Sequence, residues 1–543
     1  IMISLQQITL PITHSTDDLQ QAIADILGLG FEDVKDYKIT KRAIDSRKKR
    51  QMIYFVYSVT VKIKNKIETK VLKSKAVQKN IKHHRIEIKE PYTYELVKGA
   101  KLRTDKRPVV VGTGPAGMFA ALLLAKAGLN PLVIDRGGDV DSRIKDVDDF
   151  MNGGKLNTQS NIQFGEGGAG TFSDGKLNTL ITNPRINYIF SEMVAAGAPD
   201  TILWDAKPHI GTDKIRKVAK NMRKQIIDLG GEVRFDTQMT DITITDGKLE
   251  SIVLNDKEEI ATDHLVLAIG YSARDTYEML HERKIDLEQK PFAIGVRIEH
   301  KAEMINRVQY DKFYKEKKLG TAKYKLVAHS DANRSVYTFC MCPGGYVMPS
   351  ASAEGEVITN GMSEYAQDGE NSNAALLVNV NGDDFGSDHP LAGIEFQRAW
   401  ERKAFELGGS NYHAPVQLVG DFLKKQKSDK IKSVKPTYKP GVTLASLDEC
   451  LPDFVADSLR EALPKLDNKI KGFANPNAVL TAIETRSSSP LRISRDKETM
   501  QSNIVGIYPA GEGAGYAGGI VSSAADGMRV AEAILNLPAG RQV

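Results

Sequence analysis

Apolar and polar positions change period along this chain, and the changes divide it into segments. Residues 3–12 alternate as a half-buried strand does, and Ser15 or Thr16 then caps an amphipathic helix to about Leu27, ended by Gly28 and Gly30. Strands are predicted at 36–44 and 52–63, the second rich in β-branched and aromatic residues. Between them Ser46-Arg47-Lys48-Lys49-Arg50-Gln51 reads as the basic tip of a hairpin. Residues 1–100 therefore predict a small α+β domain, with 90–107 as its linker to the next segment.

Alternation then gives way to short continuous apolar runs, the pattern of strands buried on both faces. Val109-Val110-Val111, Leu132-Val133-Ile134 and His264-Leu265-Val266-Leu267-Ala268-Ile269-Gly270 are of this kind. Helices are expected at 185–198 and from about 212 to 229, a strand at 232–237, and a hairpin or small meander from 240 to 254. The texture changes near Pro291: strands are predicted at 292–300, 355–360 and 374–380. Residues 335–348 read as two strands joined by a Pro-Gly-Gly turn. A charged helix at about 392–407 and a Lys-rich loop at 424–439 come next, and the end returns to strand, glycine turn and a helix to about Leu537. The expected organisation is 1–100, a basic domain; 101–285, the first part of a nucleotide-binding α/β domain; 286–474, an inserted β-rich substrate domain; and 475–543, the return of the nucleotide-binding domain.

The nucleotide assignment rests on 108–117, Pro-Val-Val-Val-Gly-Thr-Gly-Pro-Ala-Gly, which leads from a strand into a small-residue helix ending at Gly128. Gly112 permits the tight turn, Gly114 lets the backbone approach a pyrophosphate, and Gly117 lets the helix pack on the sheet. Pro115 and Ala116 open the helix, whose N-terminus directs unpaired N–H groups at the phosphates. Asp135, ending the next strand 18 residues after Gly117, is placed to accept from an adenosine ribose. A second glycine cluster holds Gly165, Gly167, Gly168, Ala169, Gly170 and Gly175, flanked by Phe164, Phe172 and Leu177. It predicts a loop whose backbone lies close to a flat or anionic ligand. Gly270 gives clearance at a strand end, and residues 506–527 form a third glycine segment entering a helix. One cofactor held at both ends accounts for two such notches almost 400 residues apart.

Composition narrows the field. The 543 residues are 41% hydrophobic, and no apolar run approaches the ~18 residues of a membrane span. The first residues lack the basic segment and long apolar core of a secretory signal. Three cysteines, Cys340, Cys342 and Cys450, cannot make a disulfide framework, so a reducing cytoplasm is expected. Ten dispersed histidines show no metal-ligand spacing, so no metal is expected. Residues 1–107 carry 23 Lys+Arg against 12 Asp+Glu, leaving 51 against 57 in the remainder. The first module is thus about +11 and the rest about −6, as for separate units. Its basic tip and Lys82-His83-His84-Arg85 suit phosphates of RNA or a small anion, with Tyr54 and Tyr57 as stacking platforms, or are a solvated surface.

Together, 111–117 with Asp135-Arg136-Gly137, then 164–177, 290–300, 339–345, 485–493 and 508–527 resemble FAD-dependent oxidoreductases of the glutathione-reductase-like fold, subgroup two. More closely, the chain resembles uncharacterised bacterial FAD-dependent dehydrogenases with an added N-terminal domain. The resemblance implies FAD as cofactor, with Gly511 and Glu512 near the ribityl-phosphate chain and the helix after Gly518, Gly519 and Ile520 against the isoalloxazine. Arg136 and Met239 are also implied at the cofactor. Asp135 stands where a glutamate is more usual. No C-x-x-x-x-C comes after the first notch, unlike disulfide reductases, and no second G-x-G-x-x-G unit is present, so a nicotinamide donor would bind only transiently. The implied activity is hydride transfer between flavin and a small organic substrate. An RNA-modifying flavoenzyme and a non-catalytic scaffold, as in prenyl-GTPase escort proteins, are the alternatives. Candidate catalytic residues are Cys342, as a thiol nucleophile or flavin-facing redox group, Arg297, as a carboxylate clamp, and Tyr346. Cys340 and His209 stand behind them. The sequence carries no reading of oligomeric state.

Overall fold

The computed structural model describes residues 2–535 apart from 35, 48–50, 63–70, 90–93, 97–98, 101, 103 and 180–182. The three central residues of the expected basic tip, parts of the 90–107 linker and the helix end beyond 535 lie outside the described residues.

At the N-terminus the alternating strand is Met2–Pro11. Ser15 and Asp18 then cap helix Thr16–Leu27 reciprocally: Ser15 Oγ accepts from the Asp18 N–H at 3.2 Å and the Asp18 carboxylate from the Ser15 N–H at 2.7 Å. Strands Tyr37–Asp45 and Tyr54–Val61, helix Lys75–Lys82 and strand Ile86–Lys89 complete the domain. The sheet is antiparallel throughout, with the first strand between Tyr54–Val61 and Ile86–Lys89 and with Tyr37–Asp45 outermost. This β-α-β-β-α-β order is the ferredoxin-like arrangement. The outer strand docks on the next domain: the Arg42 N–H donates to Trp204 O at 2.7 Å, and the Arg42 guanidinium lies 5.1 and 4.6 Å from the Phe55 and Trp204 rings.

The apolar runs form a five-stranded parallel sheet in the order Ile507–Pro509, Leu265–Leu267, Val109–Val111, Leu132–Ile134, Glu232–Arg234. A strand from the far C-terminal region and the strands from the first half are thereby neighbours. Helix Pro115–Lys126 covers one face and crosses helix Ile520–Ile534 so closely that a Cβ on Gly527 would fall 2.0 Å from Ala116 O. Strands Met239–Thr245, Lys248–Leu254 and Glu258–Ala261 make a separate antiparallel meander.

The β-rich segment builds a seven-stranded sheet: Val327–His329, Ser335–Cys342, Asn371–Val380, Phe292–Lys301, Val479–Glu484, Ala414–Leu418, Val442–Leu444, antiparallel except for the last pair. Two expectations change. Strand Val479–Glu484, wholly buried between two partners, belongs to this sheet, so the return to the nucleotide domain comes after Glu484 and not at 475. The strands flanking Pro343-Gly344-Gly345 are not partners: Tyr346–Pro349 pairs instead with Thr359–Met362. Gly344 turns with φ +48°, and the Gly345 N–H is held by Asn371 O at 2.9 Å, which sends the chain off the large sheet.

Candidate functional site

The first glycine turn is built by exclusion. Gly112 has φ +102°, and a Cβ there would sit 2.1 Å from Ala268 O; a Cβ on Gly117 would sit 1.8 Å from Gly112 O. Gly114 is the N-cap of helix Pro115–Lys126, with Pro115 in its first turn, and faces Gly168, whose Cα lies 3.7 Å from a Cβ built on Gly114. Gly117→Ala is expected to push the helix off the sheet and to yield protein without bound flavin, read as the visible-to-ultraviolet absorbance ratio after purification.

The second cluster is shaped by a residue that sequence reasoning missed. Arg143, in helix Val140–Met151, is completely buried, lies 4.9 Å from the Phe172 ring and hydrogen-bonds backbone carbonyls. Its Nε donates to Asn161 O at 2.7 Å, Nη2 to Ile162 O at 2.7 Å, and Nη1 to Glu166 O at 2.7 Å and Gly168 O at 2.8 Å. The guanidinium is a template around which residues 161–168 wrap. Burial pushes its pKa down to about 10, so it stays charged at neutral pH. Gly165, at φ +119°, lies where a Cβ would meet Arg143 Cδ at 2.6 Å. Gly167 serves packing, its Cβ position 2.2 Å from Thr171 Oγ1, and does not reach the cavity.

Gly112, Gly114, Pro115, Ala116, Gly165, Gly168, Ala169 and Gly170 line a single cavity, together with Asp135 and Arg136. Asp135 is already engaged: Oδ2 accepts from the Thr113 N–H at 2.9 Å and from Thr113 Oγ1–H at 2.6 Å, and Oδ1 from the Gly137 N–H at 3.0 Å. The shorter acid thus first clamps its own turns, with little acceptor capacity left for a ribose. Arg136 lies over the Phe164 ring at 4.4 Å and bonds Asp275 through both terminal nitrogens at 3.0 and 2.9 Å.

Met239, Gly270, Glu512, Gly518, Gly519 and Ile520 line the same cavity, the last at the start of helix Ile520–Ile534 and against Gly170. Gly511 is behind the wall: its N–H donates to Asp526 at 2.8 Å, and that carboxylate also pairs with Arg495. Burial raises the Glu512 carboxyl to about 7, opposed by Lys290 and aided by Cys340. A carboxyl raised in the folded state stabilises below its unfolded pKa and loses that contribution as pH climbs toward 7. The thermal midpoint of FAD-free protein should therefore fall between about pH 4 and 7, and Glu512→Gln should flatten the decline.

The rest of the lining joins Lys176 and Asn178, which follow the second glycine cluster, to Phe339, Cys340, Asn360, Glu484 and Arg486. Here the expected catalytic residues shift. Arg297 is completely buried and spent, donating to Glu484, Cys340 O, Asn360 and Asn373, so it positions the wall and clamps no substrate. Cys342 is buried behind Cys340, its thiol 3.3 Å from Cys340 O. Tyr346 is exposed outside the cavity, because its strand left the large sheet. His209 stacks on Tyr365 and is not among the lining residues. Cys340 is the thiol at the cavity. It is half-buried at φ +43° in a bulge, and its pKa is well below the ordinary value through a hydrogen bond from the Cys342 thiol and the charges of Lys176 and Arg297. Lys176, 2.8 Å from Asp174, is held protonated by that carboxylate against its burial.

Arg486 belongs to a buried set of four charges, also unforeseen. Arg274 meets Glu401 at 2.7 and 2.8 Å, and Arg486 lies 3.2 Å from both Glu401 and Glu356. It ties the nucleotide domain to the large-sheet domain beside the cavity. Among the described residues no cluster of His, Cys, Asp or Glu could hold a metal ion, and no helix is long and apolar enough to cross a membrane.

A family model for NAD(P)-binding Rossmann-like domains matches residues 110–167, one described as FAD-dependent protein, C-terminal domain-like matches 291–487, and a domain of unknown function matches 2–62. An uncharacterised protein of Clostridium beijerinckii is 48% identical over 534 residues, covering 98% of each chain. The chain belongs to this family of FAD-dependent proteins. Among solved structures, it is similar to halogenase PltM in complex with phloroglucinol and FAD at 10% identity and a TM-score of 0.37, over 80% of this chain and 70% of that one. It is also similar to L-proline dehydrogenase from P. horikoshii at 12% identity and a TM-score of 0.36, over 83% and 96%.

The cofactor of this flavoprotein is FAD. The residues present fit it. Gly114 and Gly168 pack backbone against backbone in the cavity wall, where a side chain on Gly168 would collide, and the N-termini of helices Pro115–Lys126 and Ile520–Ile534 both reach the one cavity with N–H groups.

Proposed function

We propose that this flavoprotein is a dehydrogenase or reductase of the glutathione-reductase-like fold, subgroup two, acting on a small organic substrate admitted from the large-sheet side. Bound FAD supplies two-electron chemistry, exchanged as hydride with that substrate. The observation that supports the reading is the cavity itself: glycines of all three clusters line it, and beside them it presents Lys176 from the end of the second cluster and Cys340 and Glu484 from the large sheet. Lys176, kept protonated, orients an electron-rich substrate atom, and Glu512 holds or releases a proton near neutrality. The described chain offers one dinucleotide turn, so a nicotinamide donor would visit the flavin without a domain of its own. The three free thiols suit a cytoplasmic setting.

The test is anaerobic titration of the purified yellow protein with NADH and then NADPH, followed in the visible flavin bands. Bleaching by one donor identifies the reducing side and turns the search to an acceptor. Bands that neither donor bleaches would make the organic substrate the reductant, and a protein that neither carries nor takes up FAD would overturn the reading.

A further inference from the structure

We infer that Cys340 and Cys342 form a redox dithiol in the wall of the FAD cavity, cycling between two thiols and an intramolecular disulfide, and that it reduces a small disulfide. This rests on the flavin reading above and names a substrate class for it.

Residues i and i+2 of a regular strand share a face but stand about 6.6 Å apart along it, at the upper limit for a disulfide. Strand Ser335–Cys342 is not regular there. Phe339 opposes Ala375 and Cys342 opposes Asn373, so three steps on one strand match two on its partner. Cys340 occupies that extra step at φ +43°, a conformation a non-glycine residue rarely takes, and Arg297 holds it there by donating to its carbonyl at 2.9 Å. The bulge leaves the Cys342 thiol 3.3 Å from the Cys340 carbonyl oxygen, so the second sulfur lies against the residue that carries the first.

The pair is asymmetric in the way thiol exchange requires. Cys340 is half-buried and faces the cavity, whereas Cys342 is completely buried behind it. Lys176 and Arg297 flank both and favour the thiolate on Cys340. The third cysteine, Cys450, is buried in the hydrophobic core and takes no part.

The Cys340 thiolate attacks one sulfur of the disulfide, forming a mixed disulfide and releasing one thiolate. Cys342 gives its proton to that leaving group and attacks the Cys340 sulfur, releasing the second thiolate, which takes a proton from solvent. One disulfide becomes two thiols, and Cys340–Cys342 is oxidised by two electrons. The dithiol is restored by two electrons from reduced flavin, with two protons, and a nicotinamide nucleotide is the source of those electrons.

The test uses the FAD-loaded protein. Alkylation with maleimide under denaturing conditions, read by mass spectrometry, should label one thiol, Cys450, in the air-oxidised protein and all three after anaerobic reduction with dithionite. Dithionite should deliver four electrons per chain, and two to Cys342→Ser. The reduced wild type, mixed anaerobically with 2-hydroxyethyl disulfide, should release thiol, and Cys342→Ser should not. Three labelled thiols in the air-oxidised protein, two electrons for the wild type, or no thiol release would each overturn the proposal. Should Cys342→Ser fail to fold, the wild-type label count and electron count decide alone. Because dithionite reduces the flavin whichever nicotinamide nucleotide serves, these counts stand apart from the NADH and NADPH titration.

Discussion

Arg143→Met is expected to abolish FAD retention and to destabilise the protein by at least about 2 kcal/mol. Five carbonyls of residues 161–168 have the guanidinium as donor, four of them within 2.8 Å. Glu166 O and Gly168 O keep donors from Thr171, but Asn161 O and Ile162 O would be left unpaired in the interior at about 1–3 kcal/mol each, a large fraction of a domain's net stability. The loop also loses its shape, because glycines that have no side chain to anchor them depend on Arg143 to choose one conformation. Gly168, in the cavity wall, would move first. Arg143→Lys keeps the charge but not the fork, and is expected to restore only part of the stability and little of the FAD. The absorbance ratio of purified protein and the midpoint of urea unfolding read the two effects separately. A Met variant that retains flavin in full would show that the loop holds its own shape.

Glu401→Gln is the second large effect, about 3–5 kcal/mol, because it leaves two buried guanidiniums sharing one carboxylate. Burial alone would raise the Glu401 pKa, but Arg274 and Arg486 override it and hold the carboxyl far below the usual range. A carboxylate depressed in this way contributes stability above its unfolded pKa of about 4.3 and loses it only as pH falls through the folded value. The gap in unfolding midpoint between wild type and variant should therefore persist from neutral pH down to about 4 and narrow only in stronger acid. Since Arg486 lines the cavity and holds Ser272 and Ser352 at 3.0 and 2.6 Å, FAD should also bind more weakly. An unchanged unfolding midpoint would mean that Glu356 alone satisfies both cations.

The parts of the pocket readable in one dimension are those whose chemistry is local. A strand, a tight glycine turn and a helix start lie within ten residues, and the need for backbone without side chains leaves glycine as its mark, so Gly112, Gly114, Gly117, Gly168 and Gly519 could be found from spacing. The buried parallel strands were readable for the same reason, as continuous apolar runs.

What lay beyond such reading depends on distance in sequence. Nothing near Arg143 distinguishes it from a surface arginine of an amphipathic helix, since its partners are carbonyls 18 to 25 residues away. Arg274, Glu401 and Arg486 come from three separate stretches and meet only in the interior. Cys340 and not Cys342 reaches the cavity because a one-residue bulge breaks the regular alternation of the strand between Phe339 and Cys342, and no residue type announces a bulge. Tyr346 was lost for a kindred reason, its strand pairing in another sheet. Composition and local spacing settle the cofactor's cradle, because close backbone approach is a demand on single residues. The reacting wall, its protonation and its thiols depend on which distant segments pack together, and that is fixed by burial and hydrogen bonding across the whole fold.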